Sequence, residues 1–140
     1  MHRVIFRSAV LTGLLFSVAC APAAAPSKVQ QPLNIGFVLY SKGDAPGTLK
    51  ARWRYTTEYS GTGVATGGPA DGFAGKYHVR YFDENGKFSD EYDLVLERNG
   101  DFYSGSWLTN GKVSASGLGM KVDNGVAIGW RRINDAQSVP

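Results

Sequence analysis

The sequence predicts an all-β fold: an eight-stranded antiparallel up-and-down meander that closes into a small barrel. The dipeptide Asn-Gly, which favours tight hairpin turns, occurs four times between residues 85 and 125. Between these turns apolar and polar residues alternate, as they do in strands with one buried face. No segment carries a sustained helical period, and a length of 140 residues fits a single domain.

Residues 1–19 predict a secretory signal peptide. Arg3 and Arg7 precede an apolar stretch, "AVLTGLLFSVA", which ends in small residues and is too short for a permanent membrane span. Removing these two arginines from the 15 basic residues leaves 13 against 12 acidic ones, so the mature charge is +1. A nucleic-acid partner is therefore not expected.

The single cysteine, Cys20, follows this stretch. The segment "FSVAC" resembles a bacterial lipobox, which implies a lipidated Cys20 and a periplasmic lipoprotein anchored to the outer membrane. Cleavage after Ala19 or Ala23 is the alternative, and it predicts a soluble periplasmic or secreted protein. One cysteine excludes an intramolecular disulfide. Residues 20–32, rich in Ala and Pro, predict a tether, and residues 134–140 a flexible tail.

Two segments of 25 residues, 75–99 and 100–124, align without a gap. Both begin with Gly, carry an aromatic residue at the third place and Asn-Gly-Lys at the same offset, and end in Asn. Each segment predicts one β-hairpin within the barrel domain, residues 33–133. The predicted strands are 33–41, 50–59, 62–68, 75–83, 88–97, 101–109, 112–122 and 126–132.

Loop lengths at the Asn-Gly steps predict the register. A two-residue loop at 85–86 places Tyr77 opposite Leu94 and His78 opposite Asp93, so that one face is apolar and the other carries opposite charges. Two-residue loops at 99–100 and 110–111 and a three-residue loop at 123–125 complete the meander. They pair Leu96 with Tyr103, Tyr92 with Trp107, Tyr103 with Leu118, Val122 with Val126, Met120 with Ile128, and Leu118 with Trp130.

This register predicts which residues face inward. In "KARWRYT", Trp53 and Tyr55 point inward and the basic residues point outward. The other inward residues are Tyr77, Val79, Tyr81, Tyr92, Leu94, Leu96, Tyr103, Trp107, Leu118, Met120, Val122, Val126, Ile128 and Trp130. A small-residue outer face is expected at Ser104, Ser106, Ala115, Gly117, Gly119, Ala127 and Gly129. Such a face allows close approach of another surface, or serves barrel curvature.

The architecture of residues 33–133 resembles the calycin barrels, which include bacterial lipocalins. "GWRR" (129–132) is loosely similar to the late-strand Arg of lipocalins, whereas "ARW" (51–53) has the Trp without the family's Gly. The resemblance implies an interior that can hold a small apolar ligand.

Five inward aromatic residues are the candidate ligand-binding positions: Trp53, Tyr92, Tyr103, Trp107 and Trp130. An eight-stranded barrel can hold one small ligand, and the alternative is that these rings fill the core. The longest connection within the repeat body, residues 67–73, is expected at the barrel mouth, where loops carry specificity.

No catalytic residue, metal site or cofactor is predicted. His78 is the one histidine left after the signal peptide, and its pairing with Asp93 fits a surface ion pair better than an oriented base. The acidic segment 83–91 lacks the spacing of a calcium loop.

The function expected is a non-enzymatic envelope binding protein for a small apolar ligand, or an envelope accessory protein, with membrane contact only through the N-terminal lipid. The alternative is a protein-binding module with an envelope partner. "SASG" (114–117) resembles a segment of the small bacterial lysozyme inhibitors, which implies inhibition of such an enzyme.

Overall fold

The computed structural model describes residue 13, residues 17–25 and residues 33–133. Of these, residues 33–133 belong to one compact unit, which contains the eight strands. The strands are β1 (Gly36–Lys42), β2 (Leu49–Tyr55), β3 (Tyr59–Thr66), β4 (Gly75–Asp83), β5 (Phe88–Asn99), β6 (Phe102–Thr109), β7 (Lys112–Val122) and β8 (Gly125–Arg132). Each strand is antiparallel to the next and β8 pairs with β1, so the barrel closes. The predicted fold class is confirmed.

The predictions for the two termini fall largely outside the described residues. Of the signal peptide and tether, only residues 13 and 17–25 are described; they form no helix or strand, and Cys20 is exposed. The predicted tail, 134–140, lies wholly outside. Within the described ranges, no helix has the length and apolar character needed to cross a membrane.

The barrel has two different ends. The open end contains the start of β1, the end of β8 and the turns at 56–58, 84–87 and 110–111. The closed end contains the connections 43–48, 67–74, 100–101 and 123–124. Buried side chains pack the closed half. The largest fully buried side chains of the barrel are Tyr40, Leu49, Leu94, Leu96, Ile128, Val38, Val79 and Val126.

The longest connection, 67–74, contains the predicted mouth loop 67–73 and caps the closed end. Its Gly68 N–H donates to the Gly47 carbonyl over 3.0 Å, and the Tyr77 hydroxyl donates to the Phe73 carbonyl over 2.9 Å. The Lys42 ammonium lies 4.9 Å above the Phe73 ring. This loop lies at a barrel end, as expected, but it seals that end instead of bordering an opening.

The register between β4 and β5 is confirmed, although the turn differs from the predicted one. Tyr77 pairs with Leu94 and His78 with Asp93. The turn is a three-residue loop, 84–86, closed by hydrogen bonds between Asp83 and Lys87. A bulge in β5 adds one residue between the partners of Tyr81 and Phe82. The longer loop and the bulge offset each other, so the strands keep the predicted register.

The hairpin between β5 and β6 is displaced by two residues from the predicted one. Its loop is 100–101, Asn99 pairs with Phe102, and Leu94, not Tyr92, pairs with Trp107. The prediction was wrong because Gly100, with φ of 62°, occupies the first loop position and not the second. A shift of two residues preserves the faces of a strand, so Leu96 and Tyr103 still point inward.

The hairpin between β6 and β7 has the predicted loop, but most side chains of β7 point to the opposite side of the sheet from the predicted one. Asn110 and Gly111 form the two-residue loop, both with positive φ (51° and 78°). A bulge then places Ser114 between the partners of Trp107 and Leu108, shifting the register by one. A one-residue shift turns every later side chain to the other face.

The inward prediction for β7 is therefore wrong. Leu118, Met120 and Val122 are exposed on the outside, while Ala115 is buried and Gly117 and Gly119 face the core. The last hairpin is also corrected: its loop is the two residues 123–124, and its register pairs are Val122 with Gly125, Met120 with Ala127, Leu118 with Gly129 and Gly117 with Trp130.

The register shift creates an outer apolar patch on β1, β6, β7 and β8. It comprises the exposed side chains of Phe37, Phe102, Leu118 and Met120 around the small residues Ala127 and Gly129. The predicted small-residue face is thus present only in part. Contiguous exposed apolar patches on soluble proteins commonly mark contact surfaces.

Candidate functional site

A cavity of about 390 Å³ occupies the open half of the barrel. All three tryptophans line it, together with Tyr55, Tyr59, Tyr81 and Tyr92. No phenylalanine of the described residues does so. The lining rings therefore combine apolar faces with N–H or O–H groups, which suits a ligand with an apolar body and some polar atoms.

A buried polar cluster forms the floor of the cavity. The indole N–H of Trp107 donates to the Tyr81 hydroxyl over 2.7 Å and lies 3.2 Å from the Tyr40 hydroxyl. The two hydroxyl oxygens are 2.5 Å apart. Burial raises the pKa of Tyr40 and Tyr81 far above that of a free phenol, so both stay protonated. The cluster is neutral and holds the Trp107 ring in place.

One wall is a stack of three groups from β2 and β8. The rings of Tyr55 and Trp130 stack with centroids 5.1 Å apart and an interplanar angle of 13°. The Arg132 guanidinium carbon lies 4.7 Å from the Tyr55 ring centroid. Asn34, just before β1, links that strand to the end of β8. Its side-chain oxygen accepts a hydrogen bond from the Arg132 N–H over 2.9 Å, and its side-chain nitrogen donates to the Arg132 carbonyl over 2.8 Å.

The adjoining wall is built from β2, β4 and β5. Tyr81 contacts Trp53 edge-on, with ring centroids 6.3 Å apart, and lies 6.2 Å from Tyr92. The Trp53 indole N–H donates to the Thr62 carbonyl over 3.0 Å, so that ring also has a fixed orientation. A cavity with walls fixed in this way needs little reorganisation to accept a ligand.

Three of these rings lie against glycines on neighbouring strands. Gly36 pairs with Trp130 across β1 and β8, and a Cβ atom there would come within 2.2 Å of the indole ring. The pair of Gly61 with Trp53 has the same arrangement, with a Cβ approach of 2.8 Å to the ring. The third pair is Gly63 with Tyr81, at 2.6 Å. The missing side chains leave space for the large rings within a narrow barrel.

Charged residues lie at the rim of the cavity. Asp90 and Arg132 both line it and both are exposed. Burial raises the pKa of Tyr92; the charge of Asp90 raises it further, and that of Arg132 lowers it. The Tyr92 hydroxyl therefore lies within the electric field of both rim charges.

Four of the five candidate ligand-binding residues line the cavity: Trp53, Tyr92, Trp107 and Trp130. The fifth, Tyr103, is buried but does not line it; it lies near the 100–101 turn at the closed end. Sequence reasoning missed six lining residues: Val38, Tyr59, Ser89, Asp90, Ala115 and Arg132. For Asp90 and Arg132 a signal was present, because each continues the alternation of inward residues along its strand.

His78 lies on the outer face of β4, away from the cavity. Its Nε2 is 2.9 Å from a Glu91 carboxylate oxygen and its Nδ1 is 3.4 Å from Asp93. Hydrogen bonds to Glu91 and Asp93 raise the pKa of this imidazole. Within the described part of the chain, no group of three or more His, Cys, Asp or Glu side chains could hold a metal ion.

Comparison with protein-family models, with curated proteins and with solved structures finds no match.

Proposed function

We propose that this chain is a non-catalytic binding protein that holds a small apolar ligand in the open half of its barrel. The observation that carries the proposal is the aromatic cavity of about 390 Å³, a volume within the range of small-molecule sites. Small barrels of eight strands can be filled entirely by side chains. Here the closed half is filled, while the open half keeps a space whose walls are held by hydrogen bonds and ring stacking.

The proposal includes export and a lipid anchor. The basic and apolar N-terminal segment supports export, and Cys20 at its end supports lipidation. A mass measurement of the mature N-terminus tests this part separately. A mass that includes a diacylglyceryl-modified Cys20 supports the anchor, whereas cleavage after Ala19 or Ala23 without lipid contradicts it.

Intrinsic fluorescence tests the binding function directly, because all three tryptophans line the cavity. A panel of small lipophilic compounds should include ligands that change the emission saturably. Trp107→Ala should abolish the change, since it removes the floor. Because that variant also loses buried hydrogen bonds, Ala115→Phe serves as a second variant that keeps every lining ring and fills the cavity.

Phe102→Ala is the matched control, since it removes an exposed aromatic ring on the outer face. It should leave ligand binding unchanged. If no compound of a broad panel changes the emission of the native chain, or if Ala115→Phe binds as well as the native chain, the cavity is not a binding site.

The outer apolar patch favours a second candidate function, a protein-binding module such as a periplasmic inhibitor of a lysozyme-type enzyme. Leu118 lies at the centre of this patch with 70% of its surface exposed, between Gly129 and Ser104 on the adjoining strands. An exposed apolar area around small residues can contact another protein closely.

Lysozyme inhibition by the native chain and by Leu118→Lys tests this candidate. Inhibition that is lost in Leu118→Lys and kept in Ala115→Phe would assign the activity to the outer patch. A native chain that leaves lysozyme fully active contradicts the inhibitor version.

A further inference from the structure

Two opposite charges occupy inward-facing strand positions at the rim of the cavity. Along β5 the inward residues run Leu94, Tyr92 and then Asp90 at the open end. Along β8 the residue beyond Trp130 on the inward side is Arg132. Inward positions of a small barrel ordinarily carry packing residues. Here the last one in each of two strands carries a charge that faces the opening.

These two charges lie on different sides of the opening. In the closed order of eight strands, β5 and β8 are separated by β6 and β7. Both charges nevertheless act on the same group, since the pKa of Tyr92 responds to Asp90 and to Arg132 in opposite directions. A ligand that reaches Tyr92 therefore lies within the influence of both.

Neither rim charge is neutralised by an ion pair among the described residues. The Asp90 carboxylate accepts a hydrogen bond from the Ser89 hydroxyl over 3.0 Å. The Arg132 guanidinium rests on the Tyr55 ring. Both groups thus have an oriented position and keep their charge for a further partner.

We propose that the cavity takes a small zwitterionic ligand with an aromatic or apolar body, whose cationic group faces Asp90 and whose anionic group faces Arg132. This inference rests on the proposed ligand-binding function of the cavity. The body packs between the tryptophan and tyrosine rings. Those rings also attract a cation, and a guanidinium is well suited to a carboxylate, sulfonate or phosphate.

A series of probes with one benzyl-type body and different charges tests the inference by calorimetry on the full chain. The zwitterion is benzyldimethyl(3-sulfopropyl)ammonium, the cation benzyltrimethylammonium, the anion 3-phenylpropanesulfonate and the neutral compound 3-phenylpropan-1-ol. Because the rim is exposed, each correctly placed charge should improve affinity about two- to fivefold. The zwitterion should bind tightest, and added salt should reduce its advantage.

Variants assign each charge to its partner. Asp90→Asn should remove the advantage of the cation and leave the anion unaffected, while Arg132→Gln should do the reverse. Arg132→Lys should retain most of the advantage of the anion. Glu91→Gln and Arg131→Gln are the matched controls, because each removes the same charge from an adjacent, outward-facing residue; neither should change the ranking.

The outcomes separate this inference from the function on which it rests. Equal affinities for all four probes, lost in Ala115→Phe, would leave the binding function in place and overturn the zwitterion inference. A ranking that Asp90→Asn and Arg132→Gln leave unchanged would overturn it too. Absence of binding by every probe would overturn the inference and count against the cavity as a site.

Discussion

The indole N–H of Trp107 on β6 donates to the Tyr81 hydroxyl on β4 over 2.7 Å, and this bond links two strands across the floor of the cavity. Tyr40 lies below, with its hydroxyl 2.5 Å from that of Tyr81 and 3.2 Å from the Trp107 nitrogen. All three side chains are buried. A buried polar cluster of this kind fixes one arrangement of its members, so the stability of the barrel and the shape of the cavity depend on the same bonds.

The two tyrosines of this cluster should differ in their contribution to stability. Tyr81→Phe removes the shortest bond of Trp107 and should cost about 1–3 kcal/mol, since a buried donor is left with a poorer partner. Tyr40→Phe leaves the bond between Trp107 and Tyr81 intact and should cost about 1 kcal/mol. Urea unfolding measures both values. A larger loss in Tyr40→Phe would contradict the assignment of Tyr81 as the main acceptor.

Because of the bulge at Ser114, β7 should tolerate a charged substitution at Leu118 but not a small one at Gly117. Leu118→Lys should change the free energy of unfolding by less than about 0.5 kcal/mol, because Leu118 is exposed. Gly117→Ala should cost about 1–3 kcal/mol, because its Cβ would approach the Gly129 carbonyl oxygen to 2.4 Å. Without the bulge Leu118 would face the core and Gly117 the outside. Leu118→Lys would then lower the stability severely, and Gly117→Ala would be tolerated. Thermal unfolding of the pair decides between the registers.

Gly36 and Gly129 belong to adjacent residue pairs between β1 and β8: Gly36 pairs with Trp130, and Gly129 pairs with Phe37. The two glycines should nevertheless respond differently to an added methyl group. Gly36→Ala would bring Cβ to 2.2 Å from the Trp130 ring, so we expect a loss of about 1–3 kcal/mol and altered tryptophan emission. At Gly129 the nearest atom is 3.9 Å away, and Gly129→Ala should be neutral within about 0.5 kcal/mol. Equal stability of the two variants would show that the Trp130 ring does not need the space above Gly36.

His78 should make the stability weakly dependent on pH. Hydrogen bonds to Glu91 and Asp93 raise its pKa in the folded chain, above an unfolded value of about 6.5. The stabilisation is therefore fully present below the unfolded value and is lost as pH rises through the folded one. Because the imidazole is exposed, the effect should stay below about 1 kcal/mol. His78→Gln should remove it in urea titrations from about pH 6 to pH 8, whereas Lys76→Gln should not.

Hairpin turns and alternation were enough to predict the strands and the closure of the barrel. They also predicted the partner of Tyr77, even though the turn at 84–86 is longer than expected, because the bulge in β5 offsets it. In β7 a bulge occurs again, but there the loop has the predicted length and nothing offsets the shift.

A bulge inserts one residue without requiring a particular residue type, so sequence alone did not indicate it. The extra residues, Ser89 and Ser114, lie 25 positions apart and occupy the same place in the two aligned segments. Each directly precedes a residue that lines the cavity, Asp90 or Ala115. β-Bulges are common at barrel rims, where they redirect neighbouring side chains.

The candidate site could be predicted only in part. Alternation assigns a residue to the inward face but not to a height along the barrel axis. Trp107 and Tyr103 were therefore predicted alike, whereas only Trp107 reaches the cavity. The rim charges Asp90 and Arg132 were missed although alternation assigns both to the inward face, because a charged residue at a strand end is ordinarily assigned to solvent.

Nuclear magnetic resonance gives the decisive test of ligand binding in the cavity, because all three tryptophans line it and each has its own indole N–H signal. The measurement is a titration of the full chain, labelled with ¹⁵N, with benzyldimethyl(3-sulfopropyl)ammonium. We expect saturable shifts of the Trp53, Trp107 and Trp130 indole signals, while the backbone amides of Leu118 and Met120 stay unchanged. Unmoved indole signals, or shifts confined to Leu118, Met120 and their neighbours on the outer patch, would contradict it.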